Sequence, residues 1–357
     1  MNEFVIVHTP QLLANLDKLR KTATIGALSR QVRKLRLTFS KKRAVPAASR
    51  PSNGRIRMSR KYLLGELVQI EKTLTVERAR YYLRRLQKAI SDSKTSRIND
   101  MNLRRWKEYE EILTDSLWVV DRRDSSGVHS AWYWGNFIPQ IPRQLLLRYT
   151  KKGEWVLDPF TGSGTTLLEC QRLGRNCLGV ELQKKVASKT TSLVRKERTD
   201  DHPVSVAIEV GDSRTVDFAA LLKKYNGTSA QLAILHPPYH DIIRFSRKKN
   251  DLSNARSTGE FLDMFGAVVE NVGKVLDRNR YLAVVIGDKY DKGEWVPLGF
   301  LAMNEVMKRG FRLKSIVVKN FEGTLGKRNR KELWRYRALA GGFYVFKHEY
   351  VLIFQKR

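Results

Sequence analysis

Cysteine is almost missing from this chain: Cys170 and Cys177 are its only two in 357 residues. That is too few for a disulfide framework or a four-ligand zinc site, and it suits a reducing compartment. Long apolar runs are also missing. No stretch approaches the roughly 20 apolar residues that a membrane-spanning helix needs, and the N-terminus carries no apolar segment behind a positive start. Acidic residues are scarce, with 36 against 67 basic ones and a formal net charge of +31. An imbalance of this size calls for a polyanionic partner, which makes nucleic acid the first expectation and a ribosome-associated or merely well-solvated protein the bland alternative. The chain is expected to be cytoplasmic and nucleoid-associated.

The length suits two modules, expected at 1–104 and 105–357. From Gln11 to Arg60 basic residues crowd together, as in Arg33-Lys34-Leu35-Arg36 and Lys41-Lys42-Arg43, before a loop-like stretch from Pro46 to Gly54. This reads as a basic arm or linker. Between Lys61 and Ile90 the periodicity predicts two helices, with Thr75 as N-cap of the second. That helix carries Arg78, Arg80, Arg84, Arg85 and Lys88 away from its apolar stripe. The pair reads either as a helix-turn-helix with its basic second helix in a DNA groove or as an ordinary amphipathic hairpin.

After Arg104 short apolar strands alternate with helical patterns, the signature of a doubly wound, mostly parallel α/β sheet. The strand Trp155-Val156-Leu157 runs into Asp158-Pro159-Phe160-Thr161-Gly162-Ser163-Gly164-Thr165-Thr166 and then a helix. Small residues stand here where a ligand must approach the backbone closely. A phosphate-binding Walker loop is excluded because no Lys-Ser/Thr follows the glycines. A dinucleotide fingerprint needs a small residue where Leu167 stands. S-adenosylmethionine suits the acids behind the loop. Asp158 is expected to meet the ammonium of its methionine part, Glu181 at the next strand's end the ribose hydroxyls, and Asp212 beside Ser213 the adenine amino group.

The fourth strand of this region, Leu232 to Leu235, ends in His236-Pro237-Pro238-Tyr239. Two prolines stiffen the backbone and remove two N–H donors, leaving a rigid array of acceptors. An exocyclic amino group on a base is a poor nucleophile because its lone pair is delocalised into the ring. Acceptors holding both amino hydrogens, here the Pro237 carbonyl and a His236 ring nitrogen, draw that lone pair toward a methyl donor. Tyr239 supplies a face for a flipped base. If the imidazole must be neutral to accept, activity falls at acid pH.

The two motifs together resemble the amino-methyltransferase family of DNA modification enzymes, which make N6-methyladenine or N4-methylcytosine. The Asp158–Thr166 loop is similar to that family's Asp-Pro-Phe-x-Gly-Ser-Gly-Thr-Thr, and Pro237, Pro238 and Tyr239 to its (Asp/Asn/Ser)-Pro-Pro-(Tyr/Phe/Trp). Gly135-Asn136-Phe137-Ile138-Pro139, about 20 residues before the loop, resembles the segment that closes over the methionine end of the cofactor. The resemblance, from about Trp132 onward, implies a Rossmann-like class I S-adenosylmethionine methyltransferase fold and S-adenosylmethionine as cofactor, with no metal. It further implies a site-specific methyltransferase acting on double-stranded DNA after base flipping.

His236 departs from the family pattern and removes the usual clue to the base; adenine N6 is favoured over cytosine N4. The cofactor motif precedes the catalytic one, the reverse of many members, and no large recognition domain is evident. Recognition is therefore assigned to the N-terminal module, supplemented by the stretch Arg244 to Thr258 and by a basic loop in which Lys327, Arg328 and Arg330 stand near Trp334 and Tyr336. An RNA methyltransferase and a non-catalytic nucleic-acid-binding protein remain as alternatives. A restriction partner and the choice between monomer and homodimer are left open. Carbon-5 cytosine methylation lacks its Pro-Cys nucleophile, since Glu169 and Asn176 precede the cysteines, and no His-x-Glu or Cys-x-x-Cys set supports a zinc deaminase.

Overall fold

The computed structural model describes residues 3–46, 49, 51–198, 203–291, 293–320 and 331–357. The chain divides into two compact units, Met1–Glu111 and Ile112–Arg357.

The first unit opens with strand β1 (Phe4–His8) and helices α1 (Thr9–Arg20) and α2 (Ile25–Ser40). Strand β2 (Arg55–Ser59) and helices α3 (Arg60–Glu71) and α4 (Val76–Ser91) follow. β1 and β2 pair antiparallel, Phe4 opposite Ser59. The stretch expected to be a basic arm is thus mostly folded. Beneath its charges, Leu12, Leu16 and Leu19 and then Leu28, Val32 and Phe39 recur at helical spacing. They are buried with Leu63, Leu67, Leu83 and Leu86 in one core. The charge density masked this stripe. Thr75 caps α4 as expected, its hydroxyl accepting the Arg78 N–H at 3.2 Å.

The second unit contains β3 (Leu117–Trp118), α5 (Gln140–Tyr149), β4 (Trp155–Asp158), α6 (Thr165–Leu173), β5 (Asn176–Glu181) and α7 (Lys184–Lys196). It continues with β6 (Val206–Val210), α8 (Phe218–Lys224), β7 (Ala230–Leu235), α9 (Thr258–Val275) and β8 (Leu276–Ile286). A small hairpin of β9 (Lys289–Asp291) and β10 (Glu294–Val296) leads to α10 (Leu298–Lys308) and β11 (Phe311–Asn320). Helix α11 (Lys331–Gly341) and β12 (His348–Lys356) complete it. Eight strands form one sheet in the order β3-β11-β12-β8-β7-β4-β5-β6. All neighbours are parallel except β12, which runs antiparallel to both β8 and β11. This is the expected doubly wound, Rossmann-like α/β fold.

The strands read as near-continuous apolar runs because both faces are covered. Leu157, Leu178, Leu235 and Val284 pack with Phe261, Phe265 and Val268 of α9 on one face. The alternating residues Val156, Cys177, Ile234 and Val285 are equally buried and point the other way. Chain order reverses at β4, which has β5 on one side and the later β7 on the other. Such a reversal opens a crevice at the carboxyl ends of the strands.

Candidate active site

β4 delivers Asp158 to that crevice, and a six-residue turn separates it from the first residue of α6, Thr165. Gly162 and Gly164 take left-handed backbone angles, φ +48° and +78°, which only glycine adopts without penalty. A side chain at either position would also collide with its neighbours: a Cβ on Gly162 would lie 3.1 Å from the Tyr133 ring, and one on Gly164 only 2.4 Å from the Thr190 methyl.

The loop is tied down from four directions. The Gly162 N–H donates to Glu181 Oε2 at 3.0 Å and the Thr190 hydroxyl to the Gly162 carbonyl at 2.7 Å. Ser213 Oγ donates to the Pro159 carbonyl at 2.6 Å, and Asn136 Nδ2 donates to Ser163 Oγ at 3.0 Å. Asn136 belongs to the Gly135–Pro139 segment, whose Phe137 carbonyl accepts from Arg123 at 3.2 Å. Residues far apart in sequence are thereby drawn around one cavity of about 930 Å³, within the size range of small-molecule sites.

Asn136, Phe137, Ile138, Pro159, Phe160, Gly162, Ser163, Thr165, Glu181, Asp212 and Ser213 line this cavity, as do all four residues from His236 to Tyr239. Asp158, Gly164, Thr166 and Pro139 do not. Asp158 lies beneath the loop, 1 % exposed, and accepts the Phe160 N–H at 3.1 Å. Burial pushes its carboxyl up to about 6, against the hydrogen bond from the Phe160 N–H. Its visible task is to hold the turn.

Glu181 caps the Gly162 N–H with one oxygen and the Gln183 N–H with the other, at 3.0 and 2.9 Å, and burial raises its carboxyl above the ordinary value. Each oxygen retains a further lone pair for a ligand hydroxyl. Asp212 is more fully engaged. Arg214 grips it with a closest contact of 2.7 Å and Asn250 donates at 3.1 Å. Burial pushes the Asp212 carboxyl up, but these bonds outweigh it and hold the group low.

His236 to Tyr239 leave the end of β7, adjacent to β4, so the tetrapeptide faces the glycine turn across the reversal point. The Phe137 ring meets His236 edge-on at 4.7 Å between centroids. Burial, reinforced by the Lys319 charge, pushes the His236 imidazole down to about 3, so it is neutral at physiological pH. Tyr239 packs its ring against Gly287, where a Cβ would come within 3.0 Å, and donates its hydroxyl to Glu349 at 2.9 Å. Lys319 and Glu349 also line the cavity. The sequence reading missed both; their only signal is a charge bordering the apolar runs Ile316–Val318 and Tyr350–Phe354.

The candidate nucleic-acid residues separate by environment. Within the first unit, Arg84 and Lys88 are exposed on α4, and Arg78 is exposed against the Tyr82 ring, 4.9 Å from its centroid. Arg80 instead donates to the Arg20 carbonyl at 3.0 Å, and Arg85 binds Gln69 at 2.7 Å together with the buried Glu66. Lys327, Arg328 and Arg330 lie outside the described residues.

A family model described as DNA methylase matches residues 37–192, stopping short of the His236–Tyr239 turn. Among curated relatives, the type II methyltransferase M.MjaII of Methanocaldococcus jannaschii is 43 % identical over 84 residues, 21 % of this chain and 16 % of that one. M.SmaI of Serratia marcescens is 33 % identical over 98 residues, 26 % of this chain and 34 % of that one. M2.DpnII of Streptococcus pneumoniae is 36 % identical over 96 residues, covering 25 % and 36 %. The matches thus span about a third or less of these relatives' own lengths. Among solved structures, TrmN from Thermus thermophilus aligns over 63 % of this chain and 50 % of that one, at 17 % identity and a TM-score of 0.39. The segment 37–192, which carries the glycine turn with Asp158 and Glu181, is thus similar to DNA methylases.

Proposed function

We propose that the chain transfers the methyl group of S-adenosylmethionine to the exocyclic amino nitrogen of a base in double-stranded DNA, with adenine N6 ahead of cytosine N4. One observation carries this reading: the rigid Pro-Pro turn and the glycine turn open into the same cavity from adjacent parallel strands. The cofactor supplies, when bound, an electrophilic methyl on a sulfonium centre.

The residues present fit such a ligand. Gly162 and Gly164 leave a cradle that a Cβ would fill, and Glu181 offers spare lone pairs at the end of β5 for the ribose hydroxyls. Ser163 and Asn136 border the methionine end. Asp158 acts from beneath by fixing the turn, and Asp212, already held by Arg214 and Asn250, shapes the adenine end.

On the other side, the Pro237 carbonyl and a nitrogen of neutral His236 accept the two amino hydrogens, aligning the nitrogen lone pair for in-line attack. No charged base is required before transfer; the extra proton passes from the product ammonium to solvent water once the methyl is in place. The Tyr239 ring supports a base extruded from the duplex. Arg78, Arg84 and Lys88 contribute phosphate contacts from the first unit.

The test is incubation of purified protein with isotopically labelled S-adenosylmethionine and duplex DNA, with RNA in parallel, followed by digestion to nucleosides. N6-methyladenine or N4-methylcytosine in the DNA arm is expected. Label in RNA alone transfers the reading to RNA, and no methylated nucleoside from any DNA or RNA refutes it.

A further inference from the structure

Beside the tetrapeptide, the cavity wall holds a buried polar chain that the reaction as described leaves unused. Lys319 and Glu349 stand opposite each other in the β11–β12 register. They form an ion pair of 3.1 Å, 4 % and 3 % exposed. Glu349 Oε2 accepts the Tyr239 hydroxyl at 2.9 Å, and the Tyr239 oxygen lies 3.4 Å from His236 Nε2.

The proton positions in this chain follow from what each group can do. A carboxylate in an ion pair with a lysine ammonium only accepts. Glu349 therefore takes the single hydroxyl proton of Tyr239, which turns the tyrosine lone pairs toward His236. A lone pair facing Nε2 requires a proton on Nε2. In a neutral imidazole Nδ1 is then the acceptor, and His236 Nδ1 has no hydrogen-bond partner among the described residues.

We propose that Glu349, acting through Tyr239 and held by Lys319, sets the tautomer of His236 so that Nδ1 presents a lone pair to the amino hydrogen of the target base. This rests on the amino-methyl transfer proposed above and explains how histidine works in a place where the resembling family has Asp, Asn or Ser. An oxygen accepts a hydrogen in any state available to those residues; an imidazole accepts only in one tautomer. The opposite tautomer would set an N–H against the amino hydrogens. Lys319 and Glu349 are positioning residues, since the effect reaches the base through His236. The depression of the imidazole by burial and by Lys319 keeps the acceptor free of a second proton.

The test reads the tautomer directly. Full-length protein labelled with 15N in the imidazole rings of its six histidines is examined by long-range 1H–15N spectroscopy, with His236→Asn identifying the signal. Wild type should carry the proton on Nε2 in the absence of any substrate. Tyr239→Phe fills the same space without the hydroxyl and should release His236 to a mixture of tautomers, with the other histidine signals unmoved. The double variant Lys319→Met/Glu349→Gln, which removes both charges of the pair together, should do the same.

Tyr239→Phe should also lower kcat about tenfold at unchanged KM for S-adenosylmethionine. In the His236→Asn background the same change should have little effect on kcat, because an amide oxygen has no tautomer to lose; a purely structural role for Tyr239 would reduce kcat equally in both. A wild-type proton on Nδ1, or a tautomer ratio unaltered by Tyr239→Phe, overturns the proposal. Absence of methyl transfer by wild type overturns the underlying function instead, an outcome the substrate-free spectrum separates from this one.

Discussion

Replacing Gly164 by alanine should damage the loop in two separable ways, and Thr190→Ser should repair only one of them. At φ +78° an alanine is strained by about 1 to 2 kcal/mol. Its Cβ would also stand 2.4 Å from the Thr190 methyl, and Thr190 is fully buried, so the clash adds about 1 to 3 kcal/mol of overpacking. Gly164→Ala alone is therefore expected to lose about 2 to 5 kcal/mol, the sum of those terms. Thr190→Ser alone deletes one buried methyl at about 1 kcal/mol and keeps the hydroxyl that donates to the Gly162 carbonyl at 2.7 Å. In the double variant the alanine Cβ occupies the space the methyl vacated. Only the backbone strain and a small packing loss then remain, about 2 to 3 kcal/mol.

Denaturant unfolding of the four proteins, followed by far-ultraviolet circular dichroism, gives the coupling energy, expected at about 1 to 3 kcal/mol in favour of the double variant. Calorimetry with S-adenosylhomocysteine should show the same ordering of affinity. If the two single costs simply add, the steric account of Gly164 is wrong.

Further outcomes follow from the charges. His236 has its pKa lowered by burial and by Lys319 to about 3, so kcat should show no limb from this residue between pH 5 and 8, contrary to the acid fall expected from an ordinary imidazole; a limb near 6.5 that vanishes in His236→Asn would contradict it. Because the unfolded chain binds that proton at about 6.5, this residue also removes stability as pH falls below about 6.5 toward 3, and His236→Asn should flatten that part of the stability profile measured by denaturant midpoints. Asp158 has the opposite sign of linkage. Its carboxyl is raised by burial to about 6, so the folded state binds the proton more tightly, and stability falls as pH rises from about 4 to 6. Asp158→Asn, which keeps an acceptor for the Phe160 N–H, should therefore match wild type near pH 3 and exceed it at pH 8; equal midpoints at both would refute a buried, uncompensated charge. On α4, Arg84→Ala/Lys88→Ala should reduce the slope of log K against log salt for duplex DNA by about 2 at unchanged stability. Arg85→Ala should instead lower the unfolding midpoint, because Glu66 then keeps, among the described residues, only the Lys107 partner, at 2.6 Å, and an unchanged midpoint would show that this buried carboxylate does not need Arg85.

The glycine turn, the strand-end acids and the Pro-Pro turn were legible in the sequence because each depends on local chemistry: which residue tolerates φ above zero, which backbone lacks an N–H, which strand ends in a carboxylate. The alternation of apolar strands with amphipathic helices likewise determined the α/β class, since a strand buried on both faces must be apolar throughout. The fold of Thr9–Ser40 was less legible. Its apolar residues at helical spacing were present, but the surrounding lysines and arginines suggested an arm, and only burial against α3 and α4 shows which signal prevails.

Side-chain partners are decided by tertiary structure alone, because they depend on pairs far apart in the chain. Asp158 looked like a ligand contact and instead sits under its own loop. Arg80 and Arg85 looked like phosphate contacts and are instead bonded to the Arg20 carbonyl and to Glu66 and Gln69. Lys319 and Glu349, separated by 30 positions in sequence, become cross-strand neighbours only because β12 inserts antiparallel between β8 and β11. That insertion brings the Glu349 carboxylate to the Tyr239 hydroxyl. The sequence by itself determined that an imidazole stands at the head of the tetrapeptide; the sheet decided that it is neutral and which of its nitrogens faces the tyrosine.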